Sequence, residues 1–593
     1  MPRAEPRYFG PAGRVCFGWL HRPPADRPPP PVPPPRAAGL VICNPFGHEA
    51  VSAHRALRHF AEAAAALGVP ALRFDYHGTG DSTGDDREPG RWEAWLASVD
   101  AAVDELRRAA GLTHVYLLGV RLGATLAALA ASRRDDVAGL VAVVPVVSGK
   151  QWWRETRAME NAMQLAAAPP GRELPAGQAE SVGFVITEET RAALGAVDLL
   201  GLERRPAARV LLLDRDDLPP NDRFAARLRE LGGGAEVDHR RVPGYAGMML
   251  DPHDAVVPGE MVRAVSAWLD RQVPAAGAGT PPAPTSPAAA GPVPVAPGVT
   301  ETADFLDGTR TLFGIVTAPA AATSPTRAIV LLNAGAVNRI GPNRLYVELA
   351  RRWAGRGHLV LRFDQAGIGD SPPWPGEEEN IVYSPSAVRD LECALQHLAE
   401  RRGIATSRAL GLCSGAYHAF KAAAQGLAVE RVVIINPLVF FWKPGMSLAY
   451  PAYHVSDAAA HYRRSLVRLT TWKKLFTGKV DVTGFAQVMA RRVAFLAGGI
   501  LRDLARRVGR PMAEDLGVEL QTAARRGIGM RFVFATGDPG EDLLRSQAGS
   551  SVRRLLREGR LSIRRIDGPN HTFTPVWSHA VLTEALEEEL DVR

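Results

Sequence analysis

The sequence has only four cysteines among its 593 residues, and no pair of them has the spacing of a metal site. So few thiols exclude a disulfide framework and favour a reducing cytoplasm as the location. The N-terminus lacks the apolar core of a signal peptide, and no apolar run approaches the roughly 20 residues of a membrane span. We therefore expect a cytoplasmic protein without a metal or an organic cofactor.

Excess charge of one sign is also scarce over most of the chain. The formal net charge is +7, yet residues 461–530 alone carry 14 Lys and Arg against 5 Asp and Glu. The rest of the chain is therefore close to neutral, which argues against a general nucleic-acid binder. With 46% hydrophobic and 22% charged residues, the composition excludes a disordered or fibrous chain.

An internal repeat dominates the organisation of the sequence. RFDYHGTGDS at 73–82 recurs as RFDQAGIGDS at 362–371, and each copy lies between similar apolar runs. The repeat predicts a duplicated domain, with one copy over 1–271 and the other over 299–593. Residues 272–298 between them contain eight prolines, which indicates an extended linker.

Within each copy, apolar runs of five to seven residues alternate with Ala-rich amphipathic segments such as HRALRHFAEAAAALG and NRLYVELARRWAGRG. This alternation predicts an α/β fold in which helices cover both faces of a mostly parallel sheet.

The second copy contains a strand, turn and helix pattern that is typical of a nucleophile elbow. In ALGLCSGAYHAF, small residues flank Cys413 at the spacing required where the nucleophile sits on a strained turn. The backbone N–H of Ser414 is then one oxyanion donor. A second is expected from Ala334 or Gly335, in the loop after the apolar run IVLL.

A thiol nucleophile needs a base and an acid that orients the base, and in this fold the chain order is nucleophile, acid, histidine. His571 follows the late strand LSIRRI, and Asp538 follows the strand MRFVFA. Glu541 and Asp542 are the alternatives to Asp538. The sequence thus predicts a Cys413, His571 and Asp538 triad.

The first copy has Arg121 at the position of the nucleophile, and arginine cannot attack a carbonyl. Gly247 stands near the position of His571. This copy is predicted to be catalytically inactive. Arg121 either binds an anionic group of a substrate or fills a decayed site.

These motifs make both copies resemble the α/β-hydrolase superfamily, particularly the serine-aminopeptidase-like hydrolases of bacterial polysaccharide and acyl-carrier gene neighbourhoods. The resemblance rests on RFDxxGxGDS, the elbow and PNHTF. It implies two tandem α/β-hydrolase domains, the second with a helical lid insertion at about 443–528. The family usually has serine at the elbow; Cys413 replaces it here, as in dienelactone hydrolases.

A cysteine elbow forms a thioester intermediate, close in energy to coenzyme A and phosphopantetheine thioesters. The leading hypothesis is therefore acyl transfer, either as an acyltransferase or as a thioesterase, through an acyl-Cys413 intermediate. The alternatives are a hydrolase of esters, amides or lactones, and a non-catalytic ligand-binding protein.

The basic segment coincides with the expected lid. It is interpreted first as an ordinary lid, then as a docking site for an acyl carrier protein, and third as a contact with an anionic membrane. Nucleic acid is the least favoured partner. Phe441 and Trp442, near the entrance to this lid, are candidate contacts for an apolar acyl chain of a thioester or ester substrate.

Overall fold

The computed structural model describes residues 3–24, 36–163, 165–231, 236–275, 291–321, 325–443, 445–446, 497–506, 508–510 and 512–592. The chain divides into two compact units. The first comprises residues 1–304, 315–321 and 343–351, and the second comprises 305–314, 322–342 and 352–593.

The first sheet has eight strands and is flanked by helices. Its strands are β1 (Arg3–Phe9), β2 (Cys16–Arg22), β3 (Ala38–Cys43), β4 (Ala71–Phe74), β5 (His114–Val120), β6 (Val137–Val143), β9 (Arg209–Asp214) and β10 (Glu236–Arg241). The remaining two strands, β7 (Gln178–Ser181) and β8 (Phe184–Thr187), form a separate hairpin. The helices are α1 (His48–Ala66), α2 (Arg91–Ala110), α3 (Leu122–Ser132), α4 (Gly149–Met163), α5 (Glu188–Gly195), α6 (Asp222–Glu230), α7 (Tyr245–Met248) and α8 (Gly259–Gln272).

The second sheet has nine strands. They are β11 (Val293–Ala296), β12 (Val299–Phe305), β13 (Phe313–Pro319), β14 (Arg327–Leu332), β15 (Leu359–Asp364), β16 (Thr406–Leu412), β17 (Val429–Ile435), β18 (Gly529–Ala535) and β19 (Leu561–Ile566). The helices are α9 (Leu345–Ala354), α10 (Ala387–Arg402), α11 (Ser414–Gln425), α12 (Leu516–Arg525), α13 (Pro539–Arg557) and α14 (Val576–Leu590).

The two sheets have the same strand order. The first runs β1-β2-β4-β3-β5-β6-β9-β10, and the second runs β12-β13-β15-β14-β16-β17-β18-β19 after the additional edge strand β11. The central strands pair in parallel, for example β14 with β15 and β16, and β17 with β18. The predicted fold class, two mostly parallel sheets flanked by helices, is confirmed.

Alternation along the strands explains why helices cover both faces. On β5, Val115 and Leu117 join the apolar cluster on one face, whereas Tyr116 and Leu118 join the cluster on the other. Successive side chains of a strand point to opposite faces, so a strand that is apolar throughout must be covered on both sides.

The repeated RFDxxGxGDS motif forms a turn after β4 in the first sheet and after β15 in the second. In the second unit, Arg339 donates to both Asp364 and Asp370 at 2.7 Å, and all three side chains are buried. A Cβ atom added to Gly369, where φ is +57°, would lie 2.6 Å from the Asp364 carboxylate. The motif therefore requires glycine for steric reasons and acts as a structural turn.

Residues 447–496, the major part of the predicted lid, lie outside the described residues, as do 276–290 of the predicted linker. Within the described part, 497–506 form a helix, and Ile500, Leu501 and Leu504 are more than half exposed. Helix α12 also falls in the range predicted for the lid, but it buries Leu516 and Leu520 in the layer that covers the sheet. The lid at about 443–528 stays a prediction for the residues before α12.

Candidate active site

The elbow at Cys413 has the strained backbone that its glycine pattern predicts. Strand β16 ends at Leu412, Cys413 has φ 58° and ψ −115°, and α11 begins at the next residue. A Cβ atom on Gly411 would lie 2.1 Å from the backbone of Gly415, so the flanking residues must be small. The N-terminus of α11 also favours negative charge on the Cys413 sulfur.

The carboxylate bonded to His571 is that of Asp538. The two side chains meet through His571 Nδ1 and Asp538 Oδ2, 2.6 Å apart, and the Asp538 side chain is 2% exposed. Asp538 also caps α13, where its Oδ1 accepts the Gly540 N–H at 2.9 Å. Glu541, an alternative in the sequence, is instead paired with Arg545 and Arg565.

The electrostatics of this group favour a charged imidazole beside a thiolate. Burial lowers the pKa of His571, but the charge of the Cys413 thiolate and hydrogen bonds to Asp538 and Cys413 outweigh it, and raise the pKa from 6.5 to about 10. These surroundings therefore favour the charged form of the imidazole.

Asn436, which the sequence analysis missed, holds the loop that carries His571. It follows β17 with φ 44°; its Nδ2 donates to the carbonyl oxygen of His571 at 2.7 Å, and its Oδ1 accepts the N–H of Ala535 at 2.8 Å. One side chain thus joins the ends of β17 and β18 to the histidine loop. An Asn directly after the apolar run VVII was the available signal.

The first unit has Val144 at the position equivalent to Asn436. The N–H of each residue donates to the carbonyl oxygen of the neighbouring strand, that of Leu213 for Val144 and that of Val533 for Asn436. Val144 also has a positive φ, of 46°. The backbone conformation of this position is thus the same in both units, although the first unit lacks the side-chain amide. Valine is therefore compatible with this conformation.

Replacing Asn436 with valine should therefore keep the fold while releasing His571. Two backbone groups lose their partners, at about 1–3 kcal/mol each, so we expect the free energy of unfolding of this unit to fall by about 2–6 kcal/mol. Denaturant unfolding, together with the alkylation rate of Cys413, measures both effects. Asn570→Ala, which removes hydrogen bonds to Thr574 in the same loop, is the control and should slow alkylation less; equal slowing would contradict a positioning role for Asn436.

Of the predicted oxyanion donors, Gly335 already has a hydrogen-bond partner. The N–H of Gly335 donates to the Ser414 hydroxyl oxygen at 3.0 Å, so the serine side chain already occupies this donor. The N–H of Ser414 is among the first of α11, which lack partners within the helix. Ala334 is buried in the same loop. Their role as oxyanion donors stays a prediction.

The aromatic residues predicted to contact substrate differ in their surroundings. Trp442 stacks on Tyr383, with ring centroids 4.3 Å apart and an interplanar angle of 19°. Phe441 lies under the ammonium group of Lys421, 4.1 Å from its ring centroid, and Lys421 is paired with Glu519 at 2.7 Å. Trp442 thus lies in the aromatic cluster beside Cys413, whereas Phe441 packs against an ion pair.

The first unit retains the elbow without a nucleophile. Arg121 has φ 55° and ψ −122°, close to the values of Cys413. Its guanidinium donates to Glu49 at 2.7 Å and to Glu155 at 2.6 Å. Burial opposes its charge, but Glu49, Tyr245 and Glu155 raise the pKa of Arg121. Two carboxylates already neutralise this side chain, and anion binding by Arg121 stays a prediction.

Two further features concern the described residues alone. They include no group of three or more His, Cys, Asp or Glu side chains arranged to hold a metal ion. No helix in the described ranges is both long and apolar enough to cross a membrane.

Comparison with protein families decides the assignment. The family model described as serine aminopeptidase, S33, matches residues 37–212 and 324–481, together more than half of the chain. The chain belongs to this S33 family. As an S33 family member it is an α/β-hydrolase-fold enzyme, and each of its two copies matches the same model. The sequence matches none of the curated proteins with which it was compared.

Solved structures similar to this S33 family chain include three hydrolases. Est1E from Butyrivibrio proteoclasticus, solved with ferulic acid bound, is 18% identical with a TM-score of 0.32, covering 45% of this chain and 98% of that one. A Pyrococcus furiosus esterase is 14% identical with a TM-score of 0.32, covering 46% and 92%. An α/β serine hydrolase without lid from Xanthomonas campestris is 15% identical with a TM-score of 0.29, covering 46% and 97%.

Proposed function

We propose that the second unit is a cysteine-dependent hydrolase of acyl esters or thioesters, acting through an acyl-Cys413 intermediate. The observation that carries this proposal is the hydrogen-bonded pair of His571 and Asp538 beside an elbow cysteine. The family match supports the hydrolase alternative of the sequence analysis more than acyl transfer to a second substrate.

In the first half-reaction the Cys413 thiolate attacks the acyl carbonyl, and a sulfur–carbon bond forms. The proton already held by His571 passes to the departing alcohol or thiol as its bond to the carbonyl carbon breaks. In the second half, His571 takes a proton from water, which attacks the thioester. The carbon–sulfur bond then breaks and regenerates Cys413 with a free acid as product.

The basicity of His571 changes during this cycle in the direction that catalysis requires. Apart from burial, the largest influence on its pKa is the negative charge of Cys413. An acylated sulfur carries no charge, so acylation removes this influence and lowers the pKa of His571. The imidazole, which has given its proton to the leaving group, therefore stays neutral and acts as the base for water. Asp538 keeps the imidazole orientation in both halves.

Acyl transfer remains the second candidate, because one specific observation favours it: the elbow residue is cysteine. A thioester intermediate is more reactive toward amines than an oxygen ester, so an amine or alcohol could replace water in the second half-reaction. Docking of an acyl carrier protein at the basic segment belongs to this candidate. Most of that segment lies outside the described residues.

Mass spectrometry of the intact chain tests the proposal. The protein is incubated with p-nitrophenyl esters and with acyl coenzyme A thioesters of two to twelve carbons, quenched in acid, and digested to locate the adduct. We expect one acyl increment on Cys413 and release of free acid. If acyl adducts formed elsewhere, or nowhere across the whole panel, a covalent Cys413 mechanism would be wrong. Adding a primary amine distinguishes transfer, since an amide product forms only if the amine competes with water.

A further inference from the structure

Tyr383 is a buried phenol that the proposed mechanism does not use. It is 3% exposed, and three rings fix its position. Trp442 stacks on it, Tyr417 meets it edge-on at 5.3 Å between centroids, and His418 meets it edge-on at 6.1 Å. Tyr417 and His418 lie about one turn into α11, the helix that starts immediately after Cys413. The phenol therefore packs against the elbow itself and has little freedom to rotate.

The hydroxyl of Tyr383 has no other acceptor to satisfy it. Its Oη is buried and has no hydrogen-bond partner among the residues that the structure describes. A buried hydroxyl in this situation requires an acceptor, and a thiolate is a good one. Burial, together with the charge of Cys413, holds the pKa of Tyr383 well above 10, so the phenol keeps its proton.

His418, the neighbouring histidine, does not compete for this role. Its Nδ1 accepts from Gln365 at 3.2 Å, and burial lowers the pKa of His418 to about 3. It is therefore neutral at physiological pH. The charge of Cys413 raises the pKa of two groups on other elements, the imidazole of His571 and the phenol of Tyr383.

Resting on the proposed function, we infer that Tyr383 is a further catalytic residue, whose hydroxyl donates a hydrogen bond to the sulfur of Cys413. Two donors then share the charge of the resting thiolate. The phenol lowers the pH at which the thiolate forms, and it also lowers the intrinsic nucleophilicity of each thiolate, because a more stabilised anion attacks more slowly.

Alkylation of Cys413 by iodoacetamide measures this bond without knowledge of the substrate. The reaction forms a sulfur–carbon bond and releases iodide, and the thiol proton passes to His571 or to solvent. For Tyr383→Phe we expect the midpoint of the rate–pH profile to rise by about one pH unit, so that the rate on the acidic side falls about tenfold. The rate on the alkaline plateau should equal or exceed that of the unmodified protein. Tyr417→Phe, which removes a hydroxyl from the adjacent ring, is the matched control and should leave the midpoint unchanged.

A structural role for Tyr383 gives a different result, because loosened packing lowers the rate equally at all pH values. An unchanged midpoint in Tyr383→Phe, with or without such a uniform loss, overturns the inference while leaving the proposed function intact. An ordinary-thiol profile for Cys413 in the unmodified protein, like that of Cys393, overturns the proposed function itself. Incorporating 3-fluorotyrosine at position 383, a more acidic phenol and stronger donor, should move the midpoint to lower pH; an upward shift would also overturn the inference.

Discussion

Replacing Cys413 with alanine is expected to abolish turnover and the covalent acyl adduct together. The variant has no nucleophilic side chain at the elbow position, whereas the backbone that supports the elbow depends on Gly411 and Gly415 and stays unchanged. We expect a loss of at least about 10³-fold in kcat with p-nitrophenyl esters, and no acyl increment by mass spectrometry.

Cys393→Ala is the matched control for this experiment. Cys393 lies on α10, is half-buried, and has a pKa raised by burial, so it lacks the features of a reactive thiol. The control should retain full activity and full acylation. Activity that survives in Cys413→Ala would place the reaction elsewhere, and the proposed mechanism would then be wrong.

Removing His571 should have an effect of similar size, with a characteristic pH dependence. His571→Ala loses the proton acceptor for water and the proton donor for the leaving group, so ester turnover should fall about 10²- to 10⁴-fold. Because Cys413 and Asp538 raise the pKa of His571 to about 10, the unmodified protein keeps an imidazolium beside Cys413 through neutral pH.

The pH dependence of Cys413 alkylation should reveal the imidazolium of His571. In the unmodified protein the alkylation rate of Cys413 should change little between about pH 7 and 9, because the imidazolium persists up to about pH 10. In His571→Ala the rate should increase with pH through about 8.5, the value of an ordinary thiol. His114→Ala, at the exposed start of β5, is the control and should keep the flat profile. A flat profile in His571→Ala as well would mean that the imidazole does not stabilise the thiolate.

Much of the site was recognisable because its signals are local in sequence. The glycines around Cys413 lie two residues from it, and the strained turn requires them whatever the rest of the fold does. His571 and Asp538 were recognisable because each follows a strand whose end lies at the same sheet edge in a parallel fold. Local pattern left open the choice among Asp538, Glu541 and Asp542, which lie within five residues at the N-terminus of one helix.

The contacts that the sequence could not predict join residues far apart in the chain. Asn436 holds the carbonyl of His571 across 135 residues, and the Ser414 hydroxyl occupies the N–H of Gly335 across 79. Nor does any periodicity in the sequence show that Tyr383 packs against the elbow. Such contacts depend on where loops end in space, which the order of strands in the sheet decides.

The sequence by itself determined the internal repeat, the alternating α/β architecture and the positions of the candidate nucleophile, base and acid. Repetition, hydrophobic periodicity and the steric need for glycine can be read from the order of residues along the chain, without knowledge of tertiary contacts. Only the tertiary structure decided which carboxylate forms a hydrogen bond with His571, which amide holds its loop, and which rings pack around Tyr383. It also decided that Arg121, at the same strained turn in the first unit, is neutralised by Glu49 and Glu155, because ion pairing depends on distance and burial in space.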